Sequence, residues 1–112
     1  MNQEIWSKTV IVDASLIGEE APFYLEYAMI ESDVALTAGA IGALFYGVRI
    51  VKRDMQGQVL ERAQQAELCV SEAACRGFLD LLIHGLVTPV SLEDVTEDWR
   101  GNLEQIPLSM GA

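Results

Sequence analysis

The sequence has few of the residues that most enzyme and metal chemistry requires. Its 112 residues include one histidine, His84, and two cysteines. Cys69 and Cys75 are six residues apart, which is not the spacing of a zinc-binding pair, and one distant histidine does not complete a four-ligand site. The glycine-rich AGAIG segment lacks the Lys-Ser or Lys-Thr of a phosphate-binding loop. We therefore predict a non-enzymatic protein without a metal site or a cofactor.

Basic residues are also scarce, with 7 Lys and Arg against 17 Asp and Glu and a formal net charge of -10. Binding to nucleic acid through phosphates requires clustered Lys and Arg, so the composition argues against direct nucleic-acid binding. The acids are concentrated towards both ends of the chain, which favours a basic protein partner. The alternative is that they only keep an apolar domain soluble.

Charged residues are absent from one long segment, residues 34–48, which is rich in Ala and Gly. At about 1.5 Å per residue in a helix, this segment covers about 22 Å, against roughly 30 Å of hydrocarbon in a bilayer. The first residues carry Glu4 and no basic region typical of a signal peptide. We expect a cytoplasmic protein in which this segment is buried, with a short single-span membrane protein as the alternative.

Apolar residues in and before this segment recur every three or four positions, which is the period of a helix. The pattern predicts a central Ala/Gly-rich helix over residues 20–54, either continuous or broken near Ser32 and Asp33. The fold prediction is a mainly α single domain, 1–112, with four or five helices in a small bundle. The positions that carry the pattern are Phe23, Tyr27, Ile30, Val34, Ala38, Ile41, Phe45 and Val48.

The remaining segments are predicted from their local signals. Residues 58–86 are expected to form one or two helices after a turn at Gly57, with Ser71 as an N-cap, and 92–106 an acidic amphipathic helix. The β-branched run 9–12 predicts a short extended or β arm within 1–18. We find no second alternating run, so a lone strand is expected to pair with its own copy, join another protein's sheet, or lie over the helices.

These features favour a protein-binding function. The hypothesis is a small acidic module that acts as an inhibitor, an immunity-type protein or a chaperone or adaptor on a basic or amphipathic protein. Trp99 is expected to dock the last helix onto its own core, with the alternative that it anchors in a groove of the partner. The predicted partner-binding residues are Glu93, Asp94, Glu97, Asp98, Trp99, Glu19, Glu20 and Tyr24.

A second hypothesis is a homo-oligomeric structural subunit, most simply a homodimer. Small residues at helical spacing permit close contact between helices. The residues predicted for this interface are Gly39, Gly42, Ala43 and Gly47.

Overall fold

A four-stranded antiparallel sheet precedes two α-helices in the computed structural model, which describes residues 2–13, 22–34 and 43–105. The strands pair in chain order, each with the next. They are β1 (Asn2–Val12), β2 (Phe23–Val34), β3 (Ala43–Arg53) and β4 (Val59–Cys69). The helices are α1 (Glu72–His84) and α2 (Leu92–Gln105), joined through a 3-10 turn at Pro89–Ser91.

The predicted mainly α bundle of four or five helices is wrong. Residues 20–54 contain the antiparallel strands β2 and β3 in place of a central helix. Four successive residues of β2, Tyr27 to Ile30, are buried. Burial on both faces removes the alternation that identifies a half-buried strand, and apolar residues at helical spacing are then easily found in the segment. Aromatic and β-branched residues in β3 were the better signal.

Residues 58–86 form one strand and one helix, β4 and α1, so the prediction of helix throughout is also wrong. The Gln, Glu, Ala and Arg residues of β4 favour a helix in isolation, but pairing with β3 outweighs that weak preference. The two boundary signals are confirmed. Gly57 occupies the β3–β4 turn with φ of 89°, and the Ser71 hydroxyl accepts a hydrogen bond from the Ala74 amide at 3.1 Å.

The N-terminal arm is a full strand within the same sheet. β1 pairs antiparallel with β2, with Val12 opposite Phe23 and Lys8 opposite Tyr27. None of the three placements expected for a lone strand is therefore correct, because the partner strand lies in the segment that was predicted to be helical. The acidic segment predicted at 92–106 is helical over Leu92–Gln105, which is α2, and residue 106 lies outside the described residues.

The hydrophobic core lies between the helices and one face of the sheet, which we call the helix face. Phe23, Leu25, Tyr27 and Met29 alternate along β2 onto this face. They pack in one cluster with Cys75, Phe78, Leu79 and Leu82 of α1 and Leu92 of α2. The Tyr27 hydroxyl donates a hydrogen bond to the Val87 carbonyl at 2.9 Å, and burial raises the pKa of Tyr27 well above its ordinary value. The opposite side of the sheet is the far face.

The uncharged segment 34–48 does not form a helix in its described parts. Val34 ends β2 and Ala43–Val48 begin β3, while residues 35–42 lie outside the described residues. Among the helices that the structure describes, none is both long enough and apolar enough to cross a membrane.

Candidate functional site

Helix α2 presents its acids to solvent and its apolar side to the core. Leu92 is fully buried and Thr96 is 1% exposed, with the Thr96 hydroxyl donating to the Leu92 carbonyl at 2.7 Å. These two residues, four apart, orient the helix on the sheet. Val95 and Trp99 pack on the same side, so positions 93, 94, 97 and 98 are turned outward.

The outward side of α2 carries four exposed carboxylates, which we call the acidic surface: Glu93, Asp94, Glu97 and Asp98. None of them forms an ion pair with another residue in the described part of the chain. Val90, just before α2, is 74% exposed. Within residues 2–13, 22–34 and 43–105 the acidic surface is therefore not neutralised, and it begins three residues after the exposed Val90.

Trp99 is half-buried and packs within its own chain. Its ring stacks on Phe78 of α1 with the centroids 4.6 Å apart and the planes at 27°. Offset stacking of this kind adds to the burial of apolar area in holding two elements together. Trp99 therefore joins α2 to α1, and only its exposed part is available to a partner.

The other predicted partner-binding residues do not join the acidic surface. Tyr24 lies on the far face, because it alternates with Phe23 and Leu25 on β2. The helices cover the opposite side of the sheet, so one flat partner surface does not contact both Tyr24 and α2. Glu19 and Glu20 lie outside the described residues.

The residues predicted for an oligomer interface are used differently where the structure describes them. Gly47 is buried in β3, and a Cβ added there would lie 2.1 Å from the Gln65 backbone oxygen of β4. Its small size therefore serves a contact within the sheet. Ala43 begins β3, so it does not lie on a helix. Gly39 and Gly42 lie outside the described residues.

The histidine and cysteines lie in separate places. His84 is exposed near the end of α1, with Nδ1 2.9 Å from the Asp80 backbone oxygen. Cys75 is fully buried, and burial raises the pKa of its thiol to about 12. Cys69 is half-buried, and its thiol donates to the Ser71 carbonyl at 3.3 Å. Within the described ranges, no group of three or more His, Cys, Asp or Glu residues is placed to hold a metal ion.

A second surface, missed by the sequence analysis, lies on the far face between β2, β3 and β4. We call it the arginine groove, and it is a partly open cavity of about 270 Å³. Arg49, Val51 and Arg53 share this face because they alternate along β3. Opposite Val51 on β4 lies Arg62, and opposite Arg53 lies Val59. The lining residues are Glu26, Arg49, Val51, Arg53, Val59 and Arg62.

Two of the three arginines are paired with glutamates across the sheet. The Arg49 guanidinium bonds Glu4 of β1, and it crosses the small Ala28 of β2 to reach it. Arg53 Nε lies 3.0 Å from Glu26 Oε2. The Arg53 Nε group is shielded from solvent and makes no hydrogen bond, so this contact is an ion pair without hydrogen-bond geometry. For Arg62, the described residues supply no ion-pair partner.

The sequence did contain a signal for this groove. Arg49 and Arg53 are separated by Val51 in a segment of β propensity, and period-2 spacing places all three on one strand face. The predicted helix over residues 20–54 would instead place Arg53 near its C-terminus. No local sequence pattern predicts that Arg62 lines the groove, because only the β3–β4 register places it there.

The fold and surfaces define a small α+β domain whose antiparallel sheet is covered by two helices on one face. The chain belongs to a family of unknown function, DUF6514, whose model matches residues 7–102. No curated protein and no solved structure matches the chain significantly.

Proposed function

We propose that this protein is a non-enzymatic protein-binding module whose acidic surface engages a basic or amphipathic protein. The observation that carries the proposal is the set of four exposed carboxylates on one side of α2, for which the described part of the chain supplies no ion-pair partner. Leaving them unneutralised gains the fold little, since a carboxylate contributes most to stability when it is paired. A partner rich in Lys or Arg would neutralise all four at once.

Exposed apolar side chains on α1 and in the turn before α2 support an amphipathic partner. Val90 is 74% exposed directly before α2, and Leu81 is 61% exposed on α1. Single exposed apolar side chains are ordinary on a protein surface. Combined with the acids, they match a helix or loop that carries both basic and apolar residues, as expected for the target of an inhibitor, immunity-type protein, chaperone or adaptor.

The non-enzymatic part of the proposal rests on the positions of the candidate groups. The four acids of the acidic surface project into solvent, and the one histidine contacts a backbone carbonyl. A cytoplasmic location belongs to the same proposal and is supported by Cys69 and Cys75, both of which carry free thiols.

Homodimerisation stays a prediction, and light scattering after size exclusion tests it. Assembly through a small-residue helix is no longer its basis, because Gly47 lies in a strand.

The test uses a synthetic helical peptide of lysine and leucine as the probe. The variant Glu97→Lys/Asp98→Lys reverses two charges of the acidic surface. The control Glu67→Lys/Glu72→Lys makes the same change in charge at two exposed residues outside α2. Because each exposed charge pair contributes about 0.2–1 kcal/mol, we expect the first variant to weaken binding roughly threefold to tenfold and to reduce its salt dependence.

Isothermal titration at two ionic strengths measures both effects, and circular dichroism verifies that each variant is folded. We expect the control variant to bind nearly as the wild type does. Equal weakening by both variants would mean that the peptide senses only the net charge, and the assignment to α2 would then be wrong.

A further inference from the structure

Cationic side chains are concentrated in one place on this acidic protein. Of the 7 Lys and Arg residues in the chain, three line the arginine groove. The only acid among the lining residues is Glu26, and Glu4 reaches Arg49 from β1. Counting both acids, the three arginines leave one positive charge uncompensated in a chain of net charge -10.

The groove also has unused hydrogen-bond donors. A guanidinium carries five N–H groups in a rigid planar fork. Arg53 donates from one terminal nitrogen to the Gly57 carbonyl at 2.9 Å and its shielded Nε faces Glu26, so its other N–H groups are the ones left for a ligand. Arg62 has no ion-pair partner among the described residues. Oxygen atoms with negative charge are the acceptors that such forks bind best, often in pairs.

The size and walls of the groove limit the ligand. Its volume of about 270 Å³ lies below the roughly 300–1,000 Å³ of pockets that take drug-sized molecules. Val51, which is 6% exposed, and Val59, which is 51% exposed, add apolar surface between the arginines. These dimensions fit one oxyanion group on a short carbon skeleton and not a nucleotide or larger cofactor.

We propose that the arginine groove is a binding site for a small organic oxyanion, in which Arg62 supplies the uncompensated charge. Arg49 and Arg53 are held in place by Glu4 and Glu26 and present their remaining N–H groups to the ligand. The alternative is that the arginines bind no ligand and only form cross-strand ion pairs that stabilise the far face. That alternative accounts for Arg49 and Arg53, whose guanidinium groups face Glu4 and Glu26, but it leaves Arg62 without a role.

The experiment is a nuclear magnetic resonance titration of the full chain with inorganic phosphate and, separately, with succinate, at constant ionic strength set by chloride. We expect saturable shifts in the backbone amides of Gly57, Val59 and Arg62 and in the arginine Nε–H signals. Saturation by phosphate alone identifies a phosphate-bearing ligand, and saturation by succinate alone identifies a carboxylate. Saturation by both assigns the site to oxyanions in general.

Arg62→Gln and Arg100→Gln provide the matched comparison, because both remove one charge from an exposed arginine. Arg100 lies on α2, outside the groove. We expect Arg62→Gln to raise the dissociation constant about fivefold or more, since it removes charge-assisted hydrogen bonds, and Arg100→Gln to leave it unchanged. Linear, unsaturable shifts with either anion, or equal weakening in both variants, would overturn the proposal. The acidic surface of α2 is not altered in Arg62→Gln, so this result is independent of peptide binding there.

Discussion

β4 has a bulge opposite Gly47, because the pairing shifts from Val48 opposite Gln65 to Tyr46 opposite Cys69. Substituting Gly47 with alanine tests how closely β3 approaches this bulge. An ideal Cβ at residue 47 would lie 2.1 Å from the Gln65 backbone oxygen and 2.7 Å from Ala66 Cα, whereas ordinary van der Waals contacts begin near 3.4 Å. Both atoms belong to the backbone of β4, so no side chain can rotate away. Relief requires β4 to move by at least about 1 Å locally, which overpacking data for rigid interiors show to be unfavourable.

The expected destabilisation combines two effects. Overpacking costs about 1–3 kcal/mol, and weakening one or two nearby β3–β4 hydrogen bonds adds roughly 0.5–1.5 kcal/mol each. Replacing glycine in a strand returns about 0.5–1 kcal/mol through the unfolded chain. We therefore expect Gly47→Ala to lower the free energy of unfolding by roughly 2–4 kcal/mol, which is a large part of the stability of a small domain.

Urea unfolding followed by tryptophan fluorescence measures this change, with Gly77→Ala as the control. Gly77 is an exposed position inside α1, and a Cβ there meets nothing within 4 Å. Alanine at 77 should stabilise the protein by about 0.5–1 kcal/mol through helix propensity. A Gly47→Ala protein within 0.5 kcal/mol of the wild type would refute the close approach. A loss of stability that disappears at high protein concentration would instead indicate that Gly47 lies at a subunit interface.

Three further predictions follow from other contacts. Trp99→Ala should lower the free energy of unfolding by about 2–3 kcal/mol, because it removes a half-buried ring stacked on Phe78. A small change in stability together with complete loss of peptide binding in the titration would instead show that Trp99 anchors the partner. Glu67 has φ of 53°, a conformation that costs residues with a side chain roughly 1–2 kcal/mol. Glu67→Gly should therefore raise the urea midpoint of unfolding. A lowered midpoint would show that the bulge needs the Glu67 side chain. Burial raises the pKa of Cys75 to about 12, so at pH 8 a thiol reagent should modify Cys69 and reach Cys75 only after denaturation. Rapid modification of Cys75 in the native Cys69→Ser variant would contradict its burial. The same pKa shift should make the free energy of unfolding fall as pH rises from about 9 towards 12, because the thiol of the unfolded chain releases its proton first.

Local signals in the sequence were informative where the chain itself completes the interaction. Ser71 caps α1 by bonding an amide three residues away, and Gly57 adopts a turn conformation with positive φ. The helical period of the acidic segment corresponds to α2, which has one buried and one solvated side. In each case the residues that decide the structure lie within one or two turns of the backbone.

The strands could not be assigned in this way. Tyr27 to Ile30 of β2 are buried on both faces, so this part of the strand shows no alternation and its apolar residues also fit a helical period. β4 has a composition typical of a helix and is a strand because β3 offers it an antiparallel partner. Propensity differences of a few tenths of a kcal/mol per residue are smaller than the energy of a complete strand pairing.

By itself, the sequence determined the strong acidity of the chain, the scarcity of catalytic side chains, the helix cap at Ser71, the turn at Gly57 and the acidic helix near the end. These depend on composition or on contacts between near neighbours. Only the tertiary structure decided that the central segments are strands, that Tyr24 and α2 lie on opposite sides of the sheet, and that Arg49, Arg53 and Arg62 line one groove. The physical reason is that strand pairing is non-local, so register and face follow from partners distant in the chain.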